Sequence, residues 1–319
     1  MVLAAAGVAG GAAGDLDYKD CITGETESGP TGSGACDAIV SAAALAANSG
    51  LAGPAAVALS PDGASLYVVS LTDDAISRFN RNTTSGKLTF KGCITGETQS
   101  GPAGSGACEA IPSAKSSGTN SGMDFPVALD VSPDGTSIYV VANGDDAIAR
   151  FKRDPASGKL AYKGCITGET ESASVCDAIP GATAGGNNAG LDDPQSIELS
   201  ADGAWLYLAG LGDESVIRFK RDVTSGKLAY KDCITGDTAA GPAGSGACDA
   251  IPSATPAGTA SGLSNPIDVA LSADRASLYL VAQGDTAIAH FNRDTTSGRL
   301  TYKDCITGDT AAGPAGSGA

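Results

Sequence analysis

The tetrapeptide Cys-Ile-Thr-Gly occurs five times, beginning at Cys21, Cys93, Cys165, Cys233 and Cys305, at intervals of 72, 72, 68 and 72 residues. A period of this length makes each repeat one supersecondary unit whose apolar faces are buried only against neighbouring units. Four copies carry the full pattern. In the second, Pro126 opens VALDVSPDG, followed by TSIYVV, a polar NGDD, AIARFKRD, PASG and KLAYKGC. The bodies are β-branched and aromatic and the joints carry Asp-Gly or Ser-Gly, so each copy predicts four short, consecutive, antiparallel strands. The same pieces recur from Val57 to Cys93, Ile197 to Cys233 and Val269 to Cys305. Arg275 stands where the other copies have Gly63, Gly135 and Gly203, which predicts a different turn type there. Helical solenoids are excluded, because no stretch shows helical apolar spacing and 44 Gly with 15 Pro would break helices throughout.

Four-stranded antiparallel units in series predict an all-β fold, a β-propeller with blades at about residues 54–93, 126–165, 194–233 and 266–305. Residues 16–319 are then one array, held together by Val, Ile, Leu and Ala with Tyr67, Tyr139, Tyr207, Tyr279, Phe79, Phe151, Phe219 and Phe291 as recurrent large fillers. Residues 16–21, LDYKDC, match the rim strand of a further blade, and Leu300 to Cys305 match it again. The expectation is therefore four complete blades plus an extra N-terminal rim strand in an open or incomplete ring. Its bare end blades would associate with further copies of the chain.

The pattern Pro-x-x-Val-x-(Leu/Val)-Ser-(Pro/Ala)-Asp-Gly-x-x-(Leu/Ile)-Tyr-(Val/Leu), followed by GDDAI and RFxRDxxSGKLxY, resembles the bacterial lactonase-like propeller family and its YVTN-type surface relatives. The resemblance covers all four full repeats and lies in residues that build blades. It implies that the first strand of each unit lines a central channel and the fourth lies at the rim. The SPDG and TSGK turns would share one face, and the GDDA loops and long connections the other.

Eight of nine cysteines form local pairs, Cys21 with Cys36, Cys93 with Cys108, Cys165 with Cys176 and Cys233 with Cys248, leaving Cys305 over. Each pair spans a Gly-, Ser- and Pro-rich loop that cannot build its own core, which favours disulfides over zinc: the spacing is unlike a zinc knuckle and the chain has one histidine. No Cys-x-x-Cys is present for redox catalysis. Disulfides place the protein outside the cytoplasm, secreted or on the cell surface. Residues 1–15 are small and apolar and read either as a signal-peptide remnant or as a disordered tail, too short to span a bilayer. The position fifteen after Cys305 would be residue 320, so the sequence is expected to stop in mid-repeat.

The net charge of -16 and the lack of a basic run argue against nucleic acid and anionic lipid as partners. Lys and Arg concentrate on the third and fourth strands, as in Arg150, Lys152, Arg153, Lys159 and Lys163, while the long loops hold acids. Asp73, Asp74, Asp145, Asp146, Asp213 and Asp285 are weak calcium candidates, for which solvated turn residues are the competing and preferred reading, since no complete calcium loop occurs. His290 replaces Arg78, Arg150 and Arg218 of the other copies and reads as drift on the third strand. No catalytic or cofactor-binding residue is assigned, because none is seen to break the repeat in an acid–base arrangement. About thirty residues per repeat are spent on a nearly invariant loop. The first expectation is accordingly a binding scaffold that presents disulfide-stapled acidic loops to a protein or glycan ligand. The alternative, implied by the resemblance, is a lactonase-like hydrolase or isomerase acting on a small sugar acid.

Overall fold

The computed structural model describes residues 18–26, 36–98, 108–170, 175–239 and 248–308. Residues 1–15, read above as leader or tail, and Leu16 with Asp17 lie outside the described residues. Strands β1 (Ile22–Glu25) and β2 (Asp37–Ala43) form a small parallel pair. Then come four larger sheets. The first holds β3 (Pro54–Leu59), β4 (Ser65–Ser70), β5 (Ala75–Arg81), β6 (Leu88–Glu97) and β7 (Cys108–Lys115). The second holds β8 (Pro126–Val131), β9 (Ser137–Ala142), β10 (Ala147–Arg153), β11 (Leu160–Glu169) and β12 (Asp177–Thr183). The third holds β13 (Pro194–Leu199), β14 (Trp205–Gly210), β15 (Ser215–Arg221), β16 (Leu228–Asp237) and β17 (Asp249–Thr255). The fourth holds β18 (Pro266–Leu271), β19 (Ser277–Ala282), β20 (Ala287–Arg293) and β21 (Leu300–Thr307).

The four antiparallel strands of each repeat fall where the hydrophobic pattern puts them, but the four-stranded unit needs correction. In the first three sheets the cysteine loop returns as a fifth strand, parallel to the fourth, with Cys93 opposite Cys108 in the first. Pro112, Pro180 and Pro252 inside this strand hid it in the sequence. Proline removes a ladder N–H and is tolerated because the strand is the sheet edge. The rim strands also run four residues past Cys93 and its equivalents. The pair β1–β2 has the same parallel pairing as these rims, and β1 lines a pocket together with Leu66, Val68, Phe79 and Leu88 of the first sheet.

The sheets stack face on face in chain order. Tyr67, Val69 and Ile76 of the first sheet pack against Leu129, Ile138, Val140 and Phe151 of the second. The second packs on the third, and the third on the fourth, through the equivalent residues. Each seam carries the same buried polar clamp. Arg153 Nε donates to the Tyr67 hydroxyl at 2.7 Å, which donates to the Gly158 carbonyl at 2.7 Å; Arg221 with Tyr139 and Arg293 with Tyr207 repeat it. Arg153 and Arg221 also pair with Asp62 and Asp134 of the preceding sheet at 3.2 and 2.7 Å. These contacts join the SPDG turn of one repeat to the SGK turn of the next, on one face as the resemblance implied.

Among the described residues both end sheets leave apolar side chains exposed. Tyr279 is 43% exposed where Tyr67, Tyr139 and Tyr207 are fully buried, and Val57 at the other end is 60% exposed. The expected change of turn type at Arg275 does not occur. Arg275 takes φ +65°, as Gly63 does at +65°, and closes the same 2.8 Å hydrogen bond to the carbonyl three residues back. An L-residue is held there by the turn's own hydrogen bonding at a cost of about 1–2 kcal/mol.

Candidate functional site

The first strands of the repeats, β3, β8, β13 and β18, lie side by side along the inner edge of the stack. Aligned by repeat, the position three residues before the turn proline or alanine reads Ala58, Asp130, Glu198 and Ala270, and Asp268 lies two residues before Ala270. Three carboxylates thus break the repeat on its inner edge, where two of the copies keep alanine at that aligned position. Asp130 is half-buried and accepts backbone N–H groups from Val131 at 2.7 Å and from Leu199 of the next inner strand at 2.8 Å. Burial pushes it up to about 6, against those two donors. Glu198, also half-buried, has no hydrogen-bond partner among the described residues, and burial together with repulsion from Asp130 and Asp268 pushes it up to about 7. Asp268 is exposed. The Leu199 N–H that binds Asp130 follows Glu198 directly, so the two carboxyls are tied to one stretch of backbone. Neighbouring carboxyls with raised and unequal proton affinity can divide the roles of acid and base near neutral pH. The sequence reading missed them by treating the inner strands as interchangeable; lining up the four copies shows the substitutions.

The acids taken above as weak calcium candidates have another place. Asp145 accepts N–H groups from Asn120 and Gly122 at 2.6 Å each and from Asp124 at 3.1 Å, and Asp73, Asp213 and Asp285 hold the corresponding loops of their own sheets. Asp74 and Asp146 reach forward to the next repeat, accepting from Phe125 at 2.9 Å and Asp193 at 2.8 Å, and Glu214 accepts likewise from Asn265. All seven are buried. The reading of these residues as solvated turn acids is therefore corrected: the loops need acceptors for N–H groups turned inward, and carboxylates supply them. Burial pushes Asp74, Asp146 and Glu214 each up to about 8. Among the described residues no three His, Cys, Asp or Glu side chains are grouped to hold a metal ion.

The cysteine pairs Cys21–Cys36, Cys93–Cys108, Cys165–Cys176 and Cys233–Cys248 are joined as disulfides, each with its Cα atoms 4.6 Å apart, and Cys305 is free. His290 lies on the third strand, β20, stacked on Tyr279 with its ring 5.1 Å away and facing Asp304 of the rim strand at 3.3 Å, two strands away from Ala270 of the inner strand β18.

No family model and no curated protein matches the chain. Its fold is shared with solved structures. A protein from Lactobacillus plantarum is 20% identical with a TM-score of 0.53, covering 80% of this chain and 55% of that one. A putative 6-phosphogluconolactonase from Bacteroides uniformis is 17% identical with a TM-score of 0.51 over the same shares. The periplasmic gluconolactonase of Pseudomonas aeruginosa is 17% identical with a TM-score of 0.50, covering 79% of this chain and 53% of that one. This chain spans little more than half the length of these structures. The likeness establishes a lactonase-like all-β fold. The scaffold expectation is corrected on this finding: the functions named for these structures are those of lactonases, not of binding scaffolds.

Proposed function

We propose that the chain is an arc of a lactonase-type β-propeller that hydrolyses a sugar-acid lactone outside the cytoplasm, with Asp130 and Glu198 as its acid–base pair. The observation that carries this reading is the pair itself: two partly buried carboxyls of unequal proton affinity, on adjacent inner strands, at a position where the other repeats keep alanine. The four disulfides and the periplasmic location of one similar structure support the compartment. The resemblance to YVTN-type surface proteins agrees with it.

In the proposed reaction Asp130, ionised near neutral pH, takes a proton from water as the oxygen forms a bond to the lactone carbonyl carbon. The bond from that carbon to the ring oxygen then breaks, and Glu198, which is half protonated near pH 7, gives its proton to the departing oxygen. Each oxygen of Asp130 still has a free lone pair after its backbone hydrogen bond. Loss of either proton-transfer group should lower kcat/KM by about 10²- to 10⁴-fold. The test is hydrolysis of gluconolactone and 6-phosphogluconolactone by the purified chain and by Glu198→Gln and Asp130→Asn. Wild-type turnover above the spontaneous rate that collapses in Glu198→Gln supports the proposal; turnover no faster than spontaneous, or unchanged in both variants, overturns it.

A further inference from the structure

We propose that two cationic pockets at the rim, one at each of the first two seams between sheets, each bind a small oxyanion, a carboxylate or a phosphate group. The pocket at the first seam, about 410 Å³, is lined by Arg78, Lys91 and Lys159 with Glu109, over an apolar wall of Ile76 and Leu160. At the second seam a cavity of about 220 Å³ is lined by the equivalent Arg150, Lys163 and Lys227 with Asp177, over Ile148 and Leu228. Each pocket therefore gathers three cations and one carboxylate in a chain whose net charge is -16.

The arginines are held in place without being neutralised. Arg78 Nη1 donates to the Ser157 carbonyl at 2.6 Å and Arg150 Nη1 to the Ser225 carbonyl at 2.8 Å, both on the following sheet. Their Nη2 atoms make only long contacts of 3.4 and 3.3 Å to the carbonyls of Lys91 and Lys163. Neither guanidinium has a carboxylate partner among the described residues. Among the described residues the one ion pair in these pockets, Lys227 with Asp177, is long at 3.9 Å and exposed on both sides.

The third seam shows what this arginine takes. There Arg218 donates Nη1 to the Ser297 carbonyl at 2.5 Å, as its equivalents do, and its other two donors grip Asp232 in a fork, Nε to Oδ1 at 2.8 Å and Nη2 to Oδ2 at 2.5 Å. Asp232 is an oxyanion supplied by the chain itself. In the first two sheets its position is Gly92 and Gly164, which form a bulge at φ +112° and +106° and have no atom within 4 Å of where a Cβ would stand. The same arginine, in the same seam, thus faces a carboxylate in one copy and an open space in two. A planar fork of donors with neighbouring ammonium groups is the arrangement that selects carboxylate and phosphate. Cavities of this size, partly walled by isoleucine and leucine, suit a small molecule carrying such a group.

The experiment is calorimetric titration of the full chain with inorganic phosphate and, separately, with gluconate, each against potassium chloride at matched ionic strength. The expected result is saturable binding of two equivalents per chain by at least one of the two anions; the tighter one identifies the head group. Arg78→Gln and Arg150→Gln should each remove one equivalent. Lys159→Gln and Lys227→Gln, which touch no structural hydrogen bond, should each weaken one pocket at least threefold without changing the circular dichroism. Glu198→Gln should leave phosphate binding intact, which keeps this proposal separate from the acid–base reading of the inner strands. Binding no different from chloride, or a stoichiometry unmoved in the double variant Arg78→Gln/Arg150→Gln, would overturn it.

Discussion

At the scale of the single residue, the two acids of each Asp-Asp pair look alike in sequence and do opposite things to stability. Asp145 gives both oxygens to three inward N–H groups. Asp145→Asn would turn an amide N–H₂ against donors, and we expect it to cost about 3 kcal/mol in urea denaturation. Asp146 needs only one acceptor oxygen, for Asp193 N–H, and is buried beside Asp192, Glu169 and Asp213. Asp146→Asn keeps the acceptor and removes the charge, so it should be neutral or stabilising at pH 8. Arg275→Gly should stabilise the chain by about 1 kcal/mol, since the turn keeps its left-handed residue at φ +65° whatever the side chain; a loss of stability in thermal melts would show that the arginine contributes more than strain.

At the scale of the element, the disulfide loop is a fifth strand as well as a staple. Gly122 crosses the Cys165–Cys176 bridge so closely that an added Cβ would sit 2.5 Å from Cys165 Sγ, and Gly50 and Gly190 repeat this contact at Cys93–Cys108 and Cys233–Cys248. Removing Cys93–Cys108 as the double serine variant should cost about 3 kcal/mol by the loop-entropy argument, and more if β7 leaves the sheet. Denaturant midpoints together with intact mass before and after reduction check this. The strand was hidden by its composition: AIPSA carries a proline and little β-branching, so local propensity pointed to loop while pairing with the rim strand made it a strand.

At the scale of the whole molecule, the seams make stability depend on pH in a way the net charge does not foretell. Asp74, Asp146 and Glu214 have folded proton affinities raised to about 8 from ordinary values of 3.8 to 4.5, chiefly by burial. The folded state therefore binds more protons than the unfolded chain between about pH 4 and 8, and stability should fall as pH rises through that window. Asp134 has the opposite sign. It is partly buried, yet hydrogen bonds from Ser132, Thr136 and Arg221 bring it down to about 2, so its contribution is lost as pH falls from about 4 towards 2. A maximum near pH 4 to 5 is the expected result of chemical denaturation across pH, and Asp146→Asn should flatten the alkaline limb; a monotonic rise to pH 8 would contradict the assignment. Repeat number, the order of the four antiparallel strands and the cysteine pairing were all legible in the sequence, because they depend on local period, turn residues and loop closure. The tie between Asp130 and the backbone that follows Glu198, the buried acids at the seams and the contrast between Asp232 and the empty places beside Arg78 and Arg150 were not. Those depend on which residues of different repeats the stacking brings together, and burial there, absent from any single repeat, sets both the charge and the chemistry of the groups.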